Sequence, residues 1–249
     1  MFHRILAGLV FALSFAAAAK ATNVAGPEAA WDNALVVIPG GMRASMQDAL
    51  ALKLFDLVPA GTITVLFMHG CSGIVPNSDP LLLGRAGFLV IAPDSLKRAG
   101  RKPDCSGKNQ YGQFPQAATY RLQKIKYSLP QLPKLPKVDM RRLALFGHSE
   151  GAKGSANWPG HEFRAVVLTG WRCATTDAAF AGLKIPVDVP VMNIVAKEDE
   201  WLVNNRGVTC AQLLENRPVK LVLTPDGVKH WMNDVYNQEI QSFIKRNAG

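Results

Sequence analysis

Apolar residues fall along this chain in short, nearly unbroken runs separated by longer stretches of mixed polarity. The runs are centred on Ala34 to Ile38, Ala49 to Leu54, Thr62 to Met68, Phe88 to Ala92, Leu143 to Phe146, Ala165 to Leu168, Val191 to Ala196 and Val219 to Leu223. They do not alternate with polar residues, so each reads as a strand covered on both faces. The stretches between them carry helical spacing, as over Gln116 to Ser128 and in Tyr236, Ile240, Phe243 and Ile244. Strands alternating with helices predict an α/β domain, a mostly parallel central sheet with helices on both faces. The proline-rich segment Leu129 to Pro136 reads as an extended connection into the strand at Leu143. About 22 residues separate Leu168 from Val191, too few for a large lid domain.

One run leads directly into chemistry. Leu143 to Phe146 feeds Gly147-His148-Ser149-Glu150-Gly151, a G-x-S-x-G pentapeptide followed by the small residues Ala152, Gly154, Ser155 and Ala156. The glycines allow a sharp strand-to-helix turn that would hold Ser149 strained and exposed above the sheet edge. A serine needs a base to become nucleophilic, and the base needs an acid to fix its tautomer. Downstream lie His161 and His230. The helix opened by Ser149 would carry His161 away, whereas His230 sits in a turn-rich loop beyond the last strand. The strand Val191 to Ala196 ends in Lys197-Glu198-Asp199-Glu200, at the sheet end where catalytic groups gather. Asp199 is the chosen acid, with Glu198 the first substitute; Asp177, Asp188 and Asp226 follow no comparable strand. The strand Thr62 to Met68 runs into His69-Gly70-Cys71-Ser72-Gly73. By its pattern this loop offers the N–H of Cys71, with the N–H of Glu150, as an oxyanion hole.

With these motifs, and with Arg85 to Ser95 as a strand entering the site rim, the chain resembles the α/β-hydrolase superfamily, and more narrowly its dienelactone hydrolase-like branch. The resemblance covers most of the chain after about residue 50. It implies the α/β-hydrolase fold, no cofactor and no metal, and hydrolysis of a small-molecule ester or lactone through an acyl-enzyme. Ser149, His230 and Asp199 would be the catalytic triad. Dienelactone hydrolase itself uses a cysteine where this chain has Ser149, which turns the expectation toward serine esterase chemistry. A peptidase or acyltransferase with the same triad, or a binding module on a hydrolase scaffold, stays open.

Composition adds an address. His3 and Arg4 precede the apolar run Ile5 to Ala19 and then Ala19-Lys20-Ala21, the layout of a signal peptide. That run of about 15 residues is shorter than the roughly 20 that span a bilayer, which argues against a stable membrane anchor. Residues 1–21 are therefore expected to be removed, leaving 22–249 as a single periplasmic or secreted domain. Net charge is +9, with no basic stripe or stacking motif for nucleic acid. The loop Asp94 to Pro115 carries Arg98, Arg101, Tyr111 and Phe114, which would bind a substrate carboxylate or ring unless the loop is simply solvated. Export suits disulfides among the four cysteines. Cys173 with Cys210, and then Cys71 with Cys105, is the preferred pairing; buried thiols are the alternative.

Overall fold

The computed structural model describes residues 26–75, 78–101, 116–173, 178–196, 199, 210, 219–223, 230 and 237–249. Its strands are β1 (Leu35–Val37), β2 (Arg43–Ser45), β3 (Thr64–Met68), β4 (Leu89–Ala92), β5 (Leu143–His148), β6 (Ala165–Thr169), β7 (Val191–Val195) and β8 (Val219–Leu223). Its α-helices are α1 (Pro27–Asp32), α2 (Met46–Ala51), α3 (Asp79–Arg85), α4 (Ala117–Ser128), α5 (Glu150–Ala156) and α6 (Asn237–Ala248). The strands form one sheet in the order β2-β1-β4-β3-β5-β6-β7-β8. β1 pairs antiparallel with both β2 and β4, and every other pairing is parallel.

The buried strands divide their side chains between two cores by simple alternation. Leu66 and Met68 of β3, with Leu143 and Leu145 of β5, face one core with Ile125 of α4 and Ala152 and Ala156 of α5. Val65 and Phe67, with Ala144 and Phe146, face the other with Leu81 and Leu83 of α3 and Ile240, Phe243 and Ile244 of α6. Both faces are thus covered, which is why the sequence shows runs rather than alternation.

Two expectations are corrected. Ala49 to Leu54 is not a strand: α2 covers its first half, to Ala51, and a 3₁₀ turn begins at Leu54. Ser45 caps α2 by accepting the Asp48 N–H at 3.1 Å, and good helix formers follow. The second strand is instead Arg43–Ser45, folded back on β1 through Gly40 and Gly41, whose φ of 93° and 89° favour glycine. The proline-rich segment also holds a 3₁₀ turn at Leu132–Lys134 rather than extending throughout.

The chain places β4 on one side of β3 and β5 on the other, so the order reverses at β3. In open parallel sheets this reversal leaves a crevice at the carboxyl ends of the strands, the usual place for a ligand. The loop 69–73 and the turn at Ser149 both leave the sheet there.

Cys173, after β6, is disulfide-bonded to Cys210, 37 positions on. Cys71 is disulfide-bonded as well, and Cys105 lies outside the described residues, as do residues 1–25. Among the described residues no helix is long and apolar enough to cross a membrane. A closed loop of this size restricts the unfolded chain by about 3 to 4 kcal/mol. The double substitution Cys173→Ser, Cys210→Ser should lower the unfolding free energy by about that amount in urea titration, and an unchanged midpoint would contradict it.

Candidate active site

β5 ends at His148, and the next residue turns the chain sharply into α5. Ser149 has φ 54° and ψ −117°, a conformation that costs a non-glycine residue about 1 to 3 kcal/mol. The surroundings hold it there. Its N–H donates to the Thr169 carbonyl of β6 at 2.8 Å, and its carbonyl accepts the Lys153 N–H at 3.0 Å as α5 begins. α5 packs so close to the sheet that a Cβ on Gly151 would lie 1.9 Å from the Met68 carbonyl oxygen. One on Gly147 would lie 2.6 Å from Ser155 Oγ. The two glycines of the motif are therefore imposed by packing.

The Ser149 hydroxyl lies 2.8 Å from His230 Nε2. On the other side of the ring, Nδ1 lies 2.7 Å from Asp199 Oδ2. Asp199 is fully buried and His230 nearly so. With Nδ1–H donating to the carboxylate, Nε2 is free to accept the hydroxyl proton. The three side chains, from behind β5, β7 and β8, thus make one line of hydrogen bonds. Gly170 forms part of the ring's seat: a Cβ there would be 3.0 Å from His230 Cε1 and 3.3 Å from Nδ1, and its φ is 64°. His148 lies beside it, ring centroids 5.1 Å apart, with Nδ1 2.9 Å from Thr169 Oγ1. Burial first, and then the neighbouring His230, lowers the His148 pKa from 6.5 to about 3.

The loop after β3 passes over the turn, so that a Cβ on Gly70 would sit 3.4 Å from Ser149 Cβ. Cys71 and Glu150, the residues nominated for the oxyanion hole, directly follow Gly70 and Ser149 in the chain. His161 is exposed and pairs with Asp188 at 3.5 Å, away from the serine. Glu198, Asp177, Asp226, Tyr111 and Phe114 lie outside the described residues.

Arg98 and Arg101, expected on the substrate side, both turn into the protein. Arg98 stacks over Tyr120 at 4.2 Å and donates to Gln123 Oε1 at 2.9 Å. Arg101 is 5% exposed and pairs with Glu150, Nη2 to Oε2, at 2.6 Å. A guanidinium carries apolar area that packs well when its charge finds a partner, and here the partners are internal.

Beneath Ser149 lies a charged cluster that the sequence reading missed. Arg121 and Lys124 of α4 are buried, with Lys124 Nζ donating to the Pro93 carbonyl at 2.7 Å. Arg121 Nη2 pairs with Glu150 Oε1 at 2.8 Å. Burial works against the Glu150 carboxylate, but Arg121 and Arg101 outweigh it and hold its pKa below the ordinary value. Burial, reinforced by Arg121, lowers Lys124 well below 10.5. Among the described residues no group of three or more His, Cys, Asp or Glu is placed to hold a metal ion.

No protein-family model and no curated protein sequence matches the chain. Solved structures do. An S-formylglutathione hydrolase from Agrobacterium tumefaciens is similar with a TM-score of 0.55 and 16% identity, over 77% of this chain and 86% of that one. A dienelactone hydrolase from Anabaena variabilis gives 0.51 and 19%, over 77% and 90%. The Pyrococcus horikoshii acylaminoacyl peptidase gives 0.56 and 13%, over 76% of this chain but 37% of the peptidase. The chain has the α/β-hydrolase fold.

Two outcomes follow from the seat of His230. Between pH 6.5 and about 3 the unfolded chain binds a proton at His148 that the folded protein excludes. This group's contribution is complete above 6.5 and is lost as pH falls, with a slope of at most about 1.4 kcal/mol per pH unit. His148→Gln should therefore show a shallower fall in Tm between pH 7 and pH 5 than the parent; parallel curves would contradict the assignment. Gly170→Ala should displace the ring and slow labelling of Ser149 by a fluorophosphonate about 10-fold or more in a protein that still folds.

Proposed function

We propose that this chain is an exported serine hydrolase that cleaves a small carboxylic ester or lactone through an acyl-enzyme. The observation that carries the reading is the unbroken contact from the Ser149 hydroxyl to the His230 ring to the Asp199 carboxylate, at 2.8 and 2.7 Å, on a strained turn. Ser149 Oγ attacks the carbonyl carbon while His230 Nε2 takes its proton, and Asp199 stabilises the resulting imidazolium. The N–H groups of Cys71 and Glu150 receive the oxyanion. Collapse of the tetrahedral intermediate breaks the ester bond, and His230 returns the proton to the departing alkoxide. Water, deprotonated by the same ring, then releases the acid and restores the serine.

A dienelactone hydrolase-like place for the chain is supported by the H-G loop and the G-x-S-x-G turn, with serine in place of the cysteine of that branch. Export is supported by the layout of residues 1–21 and by the Cys173–Cys210 disulfide. On this reading 22–249 works as one domain. Peptidase chemistry would use the same groups, and the likeness to an acylaminoacyl peptidase keeps it as the second reading.

The parent protein should hydrolyse a short p-nitrophenyl ester and be labelled by a fluorophosphonate at Ser149. Ser149→Ala should lose both, with kcat down by about 10⁴-fold or more, while its circular dichroism spectrum is unchanged. Retained turnover in that variant would move the nucleophile elsewhere, and an unlabelled, inactive parent would point to a binding module. Faster cleavage of an acyl-peptide than of any ester would favour the peptidase.

A further inference from the structure

The mechanism above leaves the buried charge of Arg121 without a task. Arg121 has no exposed surface, and its guanidinium reaches both sides of the oxyanion hole at once. Nη2 pairs with Glu150 Oε1 at 2.8 Å and donates to the Gly70 carbonyl oxygen at 3.0 Å. Nη1 donates to Ser95 Oγ. One of those two Nη2 partners is the side chain of a donor residue, and the other is the carbonyl of the residue that precedes the second donor. Glu150 supplies one N–H from its own backbone, and the Gly70 carbonyl shares a planar peptide unit with the Cys71 N–H.

In a trans peptide the C=O and N–H point in opposite directions. Holding the Gly70 oxygen therefore aims the Cys71 hydrogen. A second donor holds the same oxygen. His69 Nε2 accepts the Ser95 N–H at 3.0 Å, so the ring proton resides on Nδ1, which donates to the Gly70 carbonyl at 2.7 Å. Burial, and after it the Arg121 charge, keeps this imidazole neutral. A cationic donor on the oxygen also draws electron density through the amide, and hydrogen bonds joined in this way strengthen one another. The Cys71 N–H thus becomes a better donor toward a negative oxygen. The opposite bond, Arg121 to Glu150, anchors the first residue of α5. The peptide in question borders the nucleophile, given the 3.4 Å between a Gly70 Cβ and Ser149 Cβ.

We propose that Arg121 is a positioning residue for the oxyanion hole: from behind, it aims the Cys71 amide and polarises it through the Gly70 carbonyl, and it fixes the Glu150 amide through the Glu150 carboxylate. The proposal rests on the serine hydrolase reading. Its effect belongs to the transition state, where the oxyanion exists, and not to substrate binding. That signature separates it from a purely structural role.

The test compares the parent with Arg121→Met and Arg121→Lys, each first checked for folding by circular dichroism and thermal melting. Hydrolysis of a p-nitrophenyl ester is measured together with inhibition by an aryl trifluoromethyl ketone, whose serine adduct carries the oxyanion. In Arg121→Met, kcat should fall about 10- to 100-fold, less than or comparable to removing an oxyanion donor outright, with KM within about 2-fold. Affinity for the ketone should fall by the same factor. Arg121→Lys keeps the charge without the fork and should recover part of both. A folded Arg121→Met with parental kcat, a loss confined to KM, or a kcat loss without loss of ketone affinity would overturn the proposal. If Arg121→Met does not fold, Arg121→Lys decides: a parallel loss of about 3-fold or more in kcat and ketone affinity supports the role, and parental values overturn it. An inactive, unlabelled parent would remove the hydrolase reading and this inference with it, whereas an active parent with indifferent Arg121 variants removes the inference alone.

Discussion

The turn at Ser149 is the constraint on which the rest of the molecule depends. A φ of 54° is unfavourable for a serine, and it persists because the amide is bonded into β6 and the residues after it are pressed against β3. The turn strains in order to lift one hydroxyl clear of the sheet. Parallel strands buried on both faces supply the rigidity for this, since a sheet edge or a loop would relax. The two cores flanking β3 and β5 are therefore part of the site's geometry.

From that fixed hydroxyl outward, polarity is arranged in two directions. Toward His230 and Asp199 runs a line of hydrogen bonds that ends on a buried carboxylate. Toward Gly70, Glu150 and Arg121 lies an ion pair joined to a backbone carbonyl. The second direction holds two buried arginines and one partly buried carboxylate. Burying such groups is unfavourable unless each finds a partner, and the Glu150 carboxylate finds both Arg101 and Arg121.

Legibility in the sequence followed burial. β3, β5 and β7 could be read because strands covered on both faces leave unbroken apolar runs. β2 could not: Arg43-Ala44-Ser45 is a half-exposed edge with no apolar signature. Ala49 to Leu54 was misread because a short apolar run does not separate helix from strand, although Ser45 and Asp48 marked a helix start. The residues now in line with Ser149 were legible by position alone, Asp199 after an apolar strand and His230 beyond the last one. Arg98 and Arg101 were not, because sequence shows charge but not which way a side chain turns. Arg121 gave the faintest signal, a cation on the buried face of α4 whose partners, Glu150, the Gly70 carbonyl and Ser95 Oγ, are all distant in sequence.

The disulfide has a consequence for the acid. Asp199 and β7 both lie between Cys173 and Cys210, so the carboxylate travels inside a ring of chain whose neck is covalent. Once oxidised, an unfolded molecule cannot let β7 drift far from the end of β6, its neighbour in the sheet, and part of the loop-closure entropy for that pairing is already spent. Reduction would therefore loosen the site from the side of Asp199 first, because the contacts that hold the Ser149 turn, to Thr169 and to Met68, lie outside that ring.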